Sequence, residues 1–95
     1  MTYTDLTDKS PLVLIEFYAS WCPHCQRMMP VVAQVKELLA GTAEVYQLDT
    51  NQEAAEAAGA ESIPTFIVYK DGKEVWRHSG EIEGEVLLSH VQKYA

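Results

Sequence analysis

The sequence predicts an α/β fold with a four-stranded mixed sheet flanked by helices. Four short runs have the apolar or alternating patterns of β-strands, and stretches with helical spacing lie between them. A long helical stretch joins the first two runs, which is typical of parallel neighbours linked by a right-handed crossover. Asp71-Gly72 joins the last two runs as a hairpin turn, so that pair is antiparallel.

The strands are predicted in four places. Residues 12–18 form a nearly continuous apolar run, interrupted by Glu16, which favours a central strand covered on both faces. Residues 43–49 alternate between apolar and polar side chains. Residues 65–69 are rich in β-branched and aromatic side chains, and residues 74–78 return after the turn as their partner.

The helices follow from apolar side chains at helical spacing. The longest helix begins at Cys22 and ends before Gly41. A short helix over residues 52–58 would be capped by Asn51, and an amphipathic helix over residues 83–94 closes the chain. The apolar stripes predicted to be buried comprise Met28, Val31, Val32, Val35, Leu38 and Leu39 in the long helix, and Val86, Leu87, Val91 and Tyr94 in the last.

Length and composition restrict the possible classes of protein. Residues 1–95 are expected to form one domain. The 14 acidic side chains outnumber the 7 basic ones and give a formal charge of -7, so neither nucleic acid nor an anionic membrane is expected as a partner. The longest apolar stretch, residues 11–19, is too short to span a membrane. The first residues lack the basic and apolar regions of a leader peptide, which predicts a cytoplasmic location.

The two cysteines, Cys22 and Cys25, form a C-x-x-C pair. A fold stapled by disulfides uses more cysteines spread along the chain, and a zinc site needs a second Cys or His pair at ligand spacing. His78 and His90 lack that spacing, so no metal is expected. On the pair alone, redox chemistry, a metal half-site and two incidental buried thiols remain open.

The position of the pair favours redox chemistry. Cys22 follows a core strand and begins a helix, where free backbone N–H groups and the helix dipole stabilise a thiolate. Cys25 lies one turn later and can attack a mixed disulfide formed at Cys22. Pro23 suits the first helical turn because its fixed φ fits there. The aromatic Trp21 before the pair, and an Ile-Pro-Thr element at residues 63–65 before a later strand, support the same interpretation.

Four segments form a recognisable pattern: Phe17-Tyr18-Ala19-Ser20-Trp21-Cys22-Pro23-His24-Cys25, Ile63-Pro64-Thr65-Phe66, Tyr69-Lys70-Asp71-Gly72, and Gly80. Together they resemble the thioredoxin family, over a span from about Leu12 to the C-terminus. The resemblance implies a short version of the thioredoxin fold without the family's N-terminal strand. It also implies that Pro64 is cis and faces the cysteines, and that Trp21 shields them. The substrate-binding residues that it implies are Ile63, Pro64, Thr65 and Gly80.

Two polar side chains are candidates for tuning the cysteines. Burial of Glu16 in the first strand would raise the pKa of its carboxyl and let it accept the proton of Cys25; the alternative is a partly exposed carboxylate. Thioredoxins usually have Asp at that place, and Gln47 stands where the family has a buried lysine. The Pro23-His24 dipeptide resembles that of strong bacterial disulfide oxidases. A donor from His24 beside the Cys22 thiolate would make the disulfide more oxidising; the alternative is a solvated histidine.

The resemblance implies a protein-disulfide reductase, or more generally a thiol–disulfide oxidoreductase, that acts as a monomer on protein or small-molecule disulfides. Cys22 would be the nucleophile and Cys25 the resolving thiol, with no bound cofactor besides their redox-active disulfide. Electrons would come from a reductase such as thioredoxin reductase or from low-molecular-weight thiols. A more oxidising disulfide oxidase or isomerase and a glutaredoxin-like protein remain alternatives. Of a different class are a non-catalytic binding module with this fold and a metal chaperone.

Overall fold

The computed structural model describes residues 2–49, 58–59 and 62–95. The elements in these residues follow the chain as α1 (Tyr3–Thr7), β1 (Leu12–Tyr18), α2 (Pro23–Leu38), β2 (Glu44–Asp49), β3 (Thr65–Lys70), β4 (Lys73–Ser79) and α3 (Gly84–Gln92). The four strands form one mixed sheet in the order β2-β1-β3-β4, which confirms the predicted fold class. Apart from Ala58, the helix predicted over residues 52–58 lies outside the described residues.

Strand β1 is the centre of the sheet and has the predicted bounds. It pairs in parallel with β2, where Leu14 lies beside Val45, and antiparallel with β3, where Leu14 lies beside Val68. Residues 12–17 are all buried, as expected for a strand with a neighbour on each side and packing on each face. Its carboxyl end therefore has a fixed position, from which the chain enters the segment that holds the two cysteines.

The two faces of the sheet bury different sets of side chains. Leu12 and Leu14 of β1 face α2 and α3, whose core residues include Met28, Val32 and Leu87. Val13, Ile15 and Phe17 face the other way and pack with Ile67 and Tyr69 of β3. By alternation along the strand, Glu16 shares the α2 face with Leu14. A carboxylate thus enters the layer between the sheet and the helix that begins at the cysteines.

Helix α1 lies outside the elements predicted from the sequence. Thr2 caps it through a capping box, in which the backbone N–H of Asp5 donates to Thr2 Oγ1 and the N–H of Thr2 donates to an Asp5 carboxylate oxygen. The Tyr3 hydroxyl lies 2.7 Å from the Tyr69 hydroxyl of β3, which ties α1 to the sheet. None of the helices in the described residues is both long and apolar enough to cross a membrane.

The hairpin between β3 and β4 is built as predicted. Asp71 and Gly72 both have positive φ, 51° and 81°, as the two central residues of a type I′ turn require. The strands then pair antiparallel, with Thr65 beside Ser79 at the far end. The hairpin thereby brings the residue after β4, Gly80, alongside the start of β3.

Two of the predicted helix stripes are too wide. In α2 the buried side chains are Cys25, Met28, Val32 and Val35, followed by Leu39 at the cap, whereas Leu38 is 60% exposed. Val86 at the start of α3 is also exposed. Both predictions were wrong because a helix on a sheet buries one side only, and each of these residues lies about 100° from the buried line. Helix α2 ends at Leu38 with Leu39 as its C-cap, so it ends before Gly41 as predicted.

The adjacent leucines at the end of α2 provide a matched test of this packing. Leu39→Ala should lower the free energy of unfolding by about 2 to 5 kcal/mol, because Leu39 is 0% exposed and its loss leaves a cavity. Leu38→Ala removes the same atoms from the solvent side and should change it by less than about 0.5 kcal/mol. Urea unfolding of both variants measures the difference. Equal losses would show that the helix packs through a different face.

Candidate active site

Cys22 is the N-cap residue of α2. Its sulfur accepts a hydrogen bond from the backbone N–H of Cys25 at 3.4 Å, and Pro23 occupies the first turn. The backbone N–H of Cys22 donates to the Ala19 carbonyl at 3.1 Å, which holds the segment between β1 and α2. The predicted position of Cys22 at a strand-to-helix junction is therefore confirmed. A sulfur at this place takes the role that Ser, Thr or Asp oxygens usually fill at helix starts.

The two thiols have opposite electrostatic environments. A hydrogen bond from Cys25 lowers the pKa of Cys22, with further contributions from the backbone N–H groups of Cys25 and His24 and the charge of Arg27. Burial raises the pKa of Cys25 to about 11, and its hydrogen bond to Cys22 acts in the same direction. Cys22 therefore loses its proton first, and Cys25 holds its proton at neutral pH.

The segment before β3 lies against the cysteines. The Ile63-Pro64 peptide bond is cis, as the family resemblance implies, and Pro64 is buried. Ile63 is half-buried and packs against the cluster that Ala19, Cys22 and Cys25 form. Residues from two distant parts of the chain thus share one small apolar patch at the start of α2.

Gly80 and Thr65 hold this segment in place from the other side. The N–H of Gly80 donates to the Pro64 carbonyl at 2.8 Å, and the Thr65 hydroxyl donates to the Ser62 carbonyl. Gly80 has φ of 98°, where a side chain would be strained, and a Cβ built on it would meet no atom within 4 Å. The four predicted docking residues are therefore together in space, with open surface at Gly80.

Glu16 is fully buried, at 0% exposure, so the alternative of a partly exposed carboxylate is wrong. One carboxylate oxygen accepts a hydrogen bond from the Gln47 side-chain amide at 2.8 Å, and the other has no hydrogen-bond partner among the described residues. Burial raises the pKa of Glu16, and the bond from Gln47 opposes that rise. The Glu16 charge in turn contributes to the raised pKa of Cys25. Its part in proton transfer stays a prediction.

A cavity of about 320 Å³ borders the buried thiol. Its lining includes Cys25, Tyr18 and Met29. The Gln47 amide nitrogen, which holds Glu16, lies 3.5 Å from the Met29 sulfur in this lining. The Cys25 side chain has almost no solvent-exposed surface, yet it adjoins a cavity large enough to hold water.

The His24 ring contacts a carboxylate rather than the thiol. Its Nδ1 lies 2.6 Å from Glu81 Oε2, and Arg27 donates to the same carboxylate from Nε at 3.0 Å and from Nη2 at 2.8 Å. These contacts lower the pKa of Glu81 to about 2, and the contact with Arg27 has the largest effect. The part of His24 that stabilises the Cys22 thiolate is its backbone N–H. Tuning of the thiolate by the His24 ring stays a prediction.

Glu81 and Arg27 did not emerge from the sequence as site residues. Arg27 follows His24 by three positions on α2, which places both on one side of the helix. Glu81 follows Gly80, a predicted docking residue, and that was the available signal. Trp21 is 72% exposed at the rim of the site. Its predicted shielding of the cysteines stays a prediction.

Comparison with known proteins gives one consistent result. The thioredoxin family model matches residues 2–93. Thioredoxin from Chlamydia muridarum is 40% identical over 86 residues, which are 90% of this chain and 84% of that protein. The chloroplastic thioredoxin Y of Oryza sativa subsp. japonica is 34% identical over 94 residues, 96% of this chain but 56% of its own length. The chain thus spans about half the length of the chloroplast relatives that it matches.

Solved structures agree with these relatives. A mutant thioredoxin from Halobacterium salinarum superposes with a TM-score of 0.82 at 34% identity, over 96% of this chain and 80% of that one. The predicted thioredoxin fold, with a four-stranded mixed sheet flanked by helices, is therefore confirmed.

The buried carboxylate predicts a pH-dependent stability difference. In the folded protein the pKa of Glu16 lies above the ordinary 4.5, so the wild type loses stability as pH rises through 4.5 toward the folded value, whereas a neutral side chain does not. The stability of Glu16→Gln relative to the wild type should therefore increase with pH. Urea unfolding between about pH 4 and about pH 8 measures it.

Asp5→Asn is the contrasting variant for this measurement. Hydrogen bonds with Thr2 lower the pKa of Asp5, so the stability that its carboxylate contributes is present at neutral pH and disappears in acid. Relative to the wild type, Asp5→Asn should lose stability as pH rises, the opposite sign. A Glu16→Gln difference that stays flat or shrinks with pH contradicts a raised pKa at Glu16.

Proposed function

The chain belongs to the thioredoxin family, and we propose that it is a thiol–disulfide oxidoreductase with Cys22 as the nucleophile and Cys25 as the resolving thiol. The observation that carries the proposal is the asymmetry of the two thiols. Cys22 has a lowered pKa at the start of a helix, and Cys25 has a pKa raised to about 11 in the core one turn away. Cys22 is thus suited to attack a substrate disulfide, and Cys25 stays protonated until the mixed disulfide has formed.

The reaction proceeds through two exchanges. The Cys22 thiolate attacks one sulfur of a substrate disulfide; a Cys22–substrate S–S bond forms, the substrate S–S bond breaks, and the departing thiolate takes a proton. Cys25 then gives up its proton and attacks Cys22 Sγ, which forms the Cys22–Cys25 disulfide and releases the second substrate thiol. In sum, two electrons pass from the Cys22 thiolate and the Cys25 thiol to the substrate, whose two thiols take up two protons from solvent, one of them replacing the proton that Cys25 gives up.

Glu16 accepts the proton of Cys25 in the second exchange. Cys25 must lose a proton that it holds tightly at neutral pH, so a nearby base is required. The raised pKa of Glu16 brings the basicity of the carboxylate closer to that of the thiol. The cavity beside Cys25 offers room for water next to the thiol, and with it a route by which the proton leaves.

Protein substrates dock on the edge formed by Ile63, Pro64, Thr65 and Gly80. Support comes from the contact of Ile63 with the cysteine cluster and from the Gly80–Pro64 hydrogen bond that joins the two segments. The open space above Gly80 lets an extended chain approach the backbone. Trp21, exposed at the rim, adds apolar contact area for the same substrate.

The direction of reaction in the cell is reduction. The protein acts as a monomer in the cytoplasm, without a bound cofactor, and receives electrons from a reductase such as thioredoxin reductase or from low-molecular-weight thiols. Relatives named thioredoxin and the absence of any cysteine beyond the reactive pair support a reducing setting. The position of the His24 ring on Glu81 supports it too, since a donor at the thiolate would favour oxidation.

The alternatives have less support in the described residues. There, no three His, Cys, Asp or Glu side chains are grouped as metal ligands, so nothing in that part favours a metal chaperone. The pKa values of the two adjacent thiols are shifted in opposite directions. A non-catalytic binding module does not require such a difference, so this observation favours an oxidoreductase.

Trapping of the intermediate tests the proposed roles. Cys25→Ser should accumulate a stable mixed disulfide with a disulfide-containing protein at about pH 7, because its thiolate attacks but nothing resolves the product. Cys22→Ser should form little, because its remaining thiol is buried and burial, the largest cause of the raised pKa of Cys25, is unchanged in this variant. Non-reducing electrophoresis and intact mass spectrometry detect the adduct. Equal trapping by both variants would remove the assignment of nucleophile and resolving thiol.

A further inference from the structure

We propose that Glu81 is a positioning residue that keeps the Cys22–Cys25 couple reducing, by holding Arg27 and the His24 ring on its own carboxylate. The inference rests on the proposed oxidoreductase function. Glu81 touches neither sulfur in the contacts described above. It acts on the reaction through the two side chains that it binds.

The geometry of the contact is that of a fixed fork. Arg27 donates to Glu81 from Nε and from Nη2, at 3.0 Å and 2.8 Å, and the His24 Nδ1 shares the same carboxylate at 2.6 Å. Arg27 Nη2 also lies 2.8 Å from His24 Nδ1, so the three groups form one compact cluster. Bidentate pairing of this kind fixes orientation as well as distance.

The backbone of Glu81 is anchored beside the active site. The preceding residue, Gly80, donates its N–H to the Pro64 carbonyl, and the Glu81 carbonyl lies 3.3 Å from His78 Nε2. His24 and Arg27 belong to the first turns of α2, whose cap is Cys22. Glu81 thus joins the docking edge to the start of the helix, at a site where charge affects the thiolate.

The charge of Arg27 determines the direction of the effect. Arg27 favours the Cys22 thiolate, and Glu81 offsets that charge at hydrogen-bond distance. The Glu81 carboxylate also contacts the Nδ1 ring nitrogen of His24, which lies between the cysteines in the sequence. Without Glu81, both donors are free to stabilise the thiolate. A more stable thiolate stabilises the dithiol over the disulfide, which makes the couple more oxidising.

The test is Glu81→Gln, which keeps the shape and removes the charge. Its dithiol–disulfide equilibrium with glutathione should shift toward the dithiol by about two- to fivefold, the size expected for exposed charges near a helix start. The pKa of Cys22, followed by thiolate absorbance in the ultraviolet, should fall with it. Thiol alkylation and mass spectrometry measure the equilibrium.

Glu74→Gln is the matched control. Glu74 forms the equivalent pair with Arg77, with an oxygen–nitrogen distance of 2.8 Å, at the opposite end of β4. Its loss changes the net charge equally and should leave the equilibrium and the pKa of Cys22 at the wild-type values. A shift of the same size in Glu74→Gln would mean that net charge alone is responsible, and would overturn the inference.

A second pair of variants tests whether Glu81 acts on Cys22 through Arg27. In an Arg27→Gln background, adding Glu81→Gln should shift the equilibrium less than it does in the wild type, because Arg27 is no longer there to be released. An undiminished shift would overturn the role of Arg27 as the mediator.

The outcomes separate this inference from the proposed function. If the wild-type cysteines neither oxidise nor reduce in glutathione buffer, the oxidoreductase function itself fails. If the wild type titrates and Glu81→Gln reaches the same equilibrium with the same Cys22 pKa, or moves toward the disulfide, only the role of Glu81 fails.

Discussion

The hydrogen bond from the Cys25 N–H to the Cys22 sulfur is the interaction on which the site depends. At the N-terminus of a helix the first N–H groups have no backbone acceptor, and here a sulfur supplies one. The same bond that completes the helix start therefore stabilises negative charge on the sulfur. The bond forms only if the chain leaves β1 at the right place. The pairing of β1 with β2 and β3 on its two sides fixes that place.

Burial has opposite consequences for the groups around that bond. It raises the pKa of Cys25 and of Glu16, whereas Cys22, with its hydrogen-bond donors, has a lowered pKa. A buried carboxylate with one unpartnered oxygen among the described residues lowers the stability of the fold at neutral pH. Local features that disagree with good packing concentrate at functional sites, and Glu16 is such a feature beneath the reactive pair.

The charged side chains at the rim of the site alter the effect that the Pro-His dipeptide is expected to have on the cysteine pair. From the sequence alone, His24 lies between the cysteines and is predicted to donate a hydrogen bond to the thiolate. In the folded protein its ring nitrogen and the Arg27 guanidinium both meet Glu81, which comes from the far end of the chain. A dipeptide therefore cannot be translated into a redox potential without the side chains that the fold brings to it. The docking edge depends on the same loop, because Gly80 precedes Glu81.

The four strands, the long helix, the closing helix and the cysteine pair could be predicted from the sequence alone, since their signals are local. The run at residues 12–18, the turn at Asp71-Gly72 and the spacing of the cysteines each depend on near neighbours in the chain, and each is confirmed. The buried side of α2, the hydrogen bond from Gln47 to Glu16 and the ion pair of Glu81 with Arg27 become apparent only in the folded protein. The last two contacts join residues 31 and 54 positions apart. Contacts of that length arise from the packing of whole elements, which no local pattern encodes.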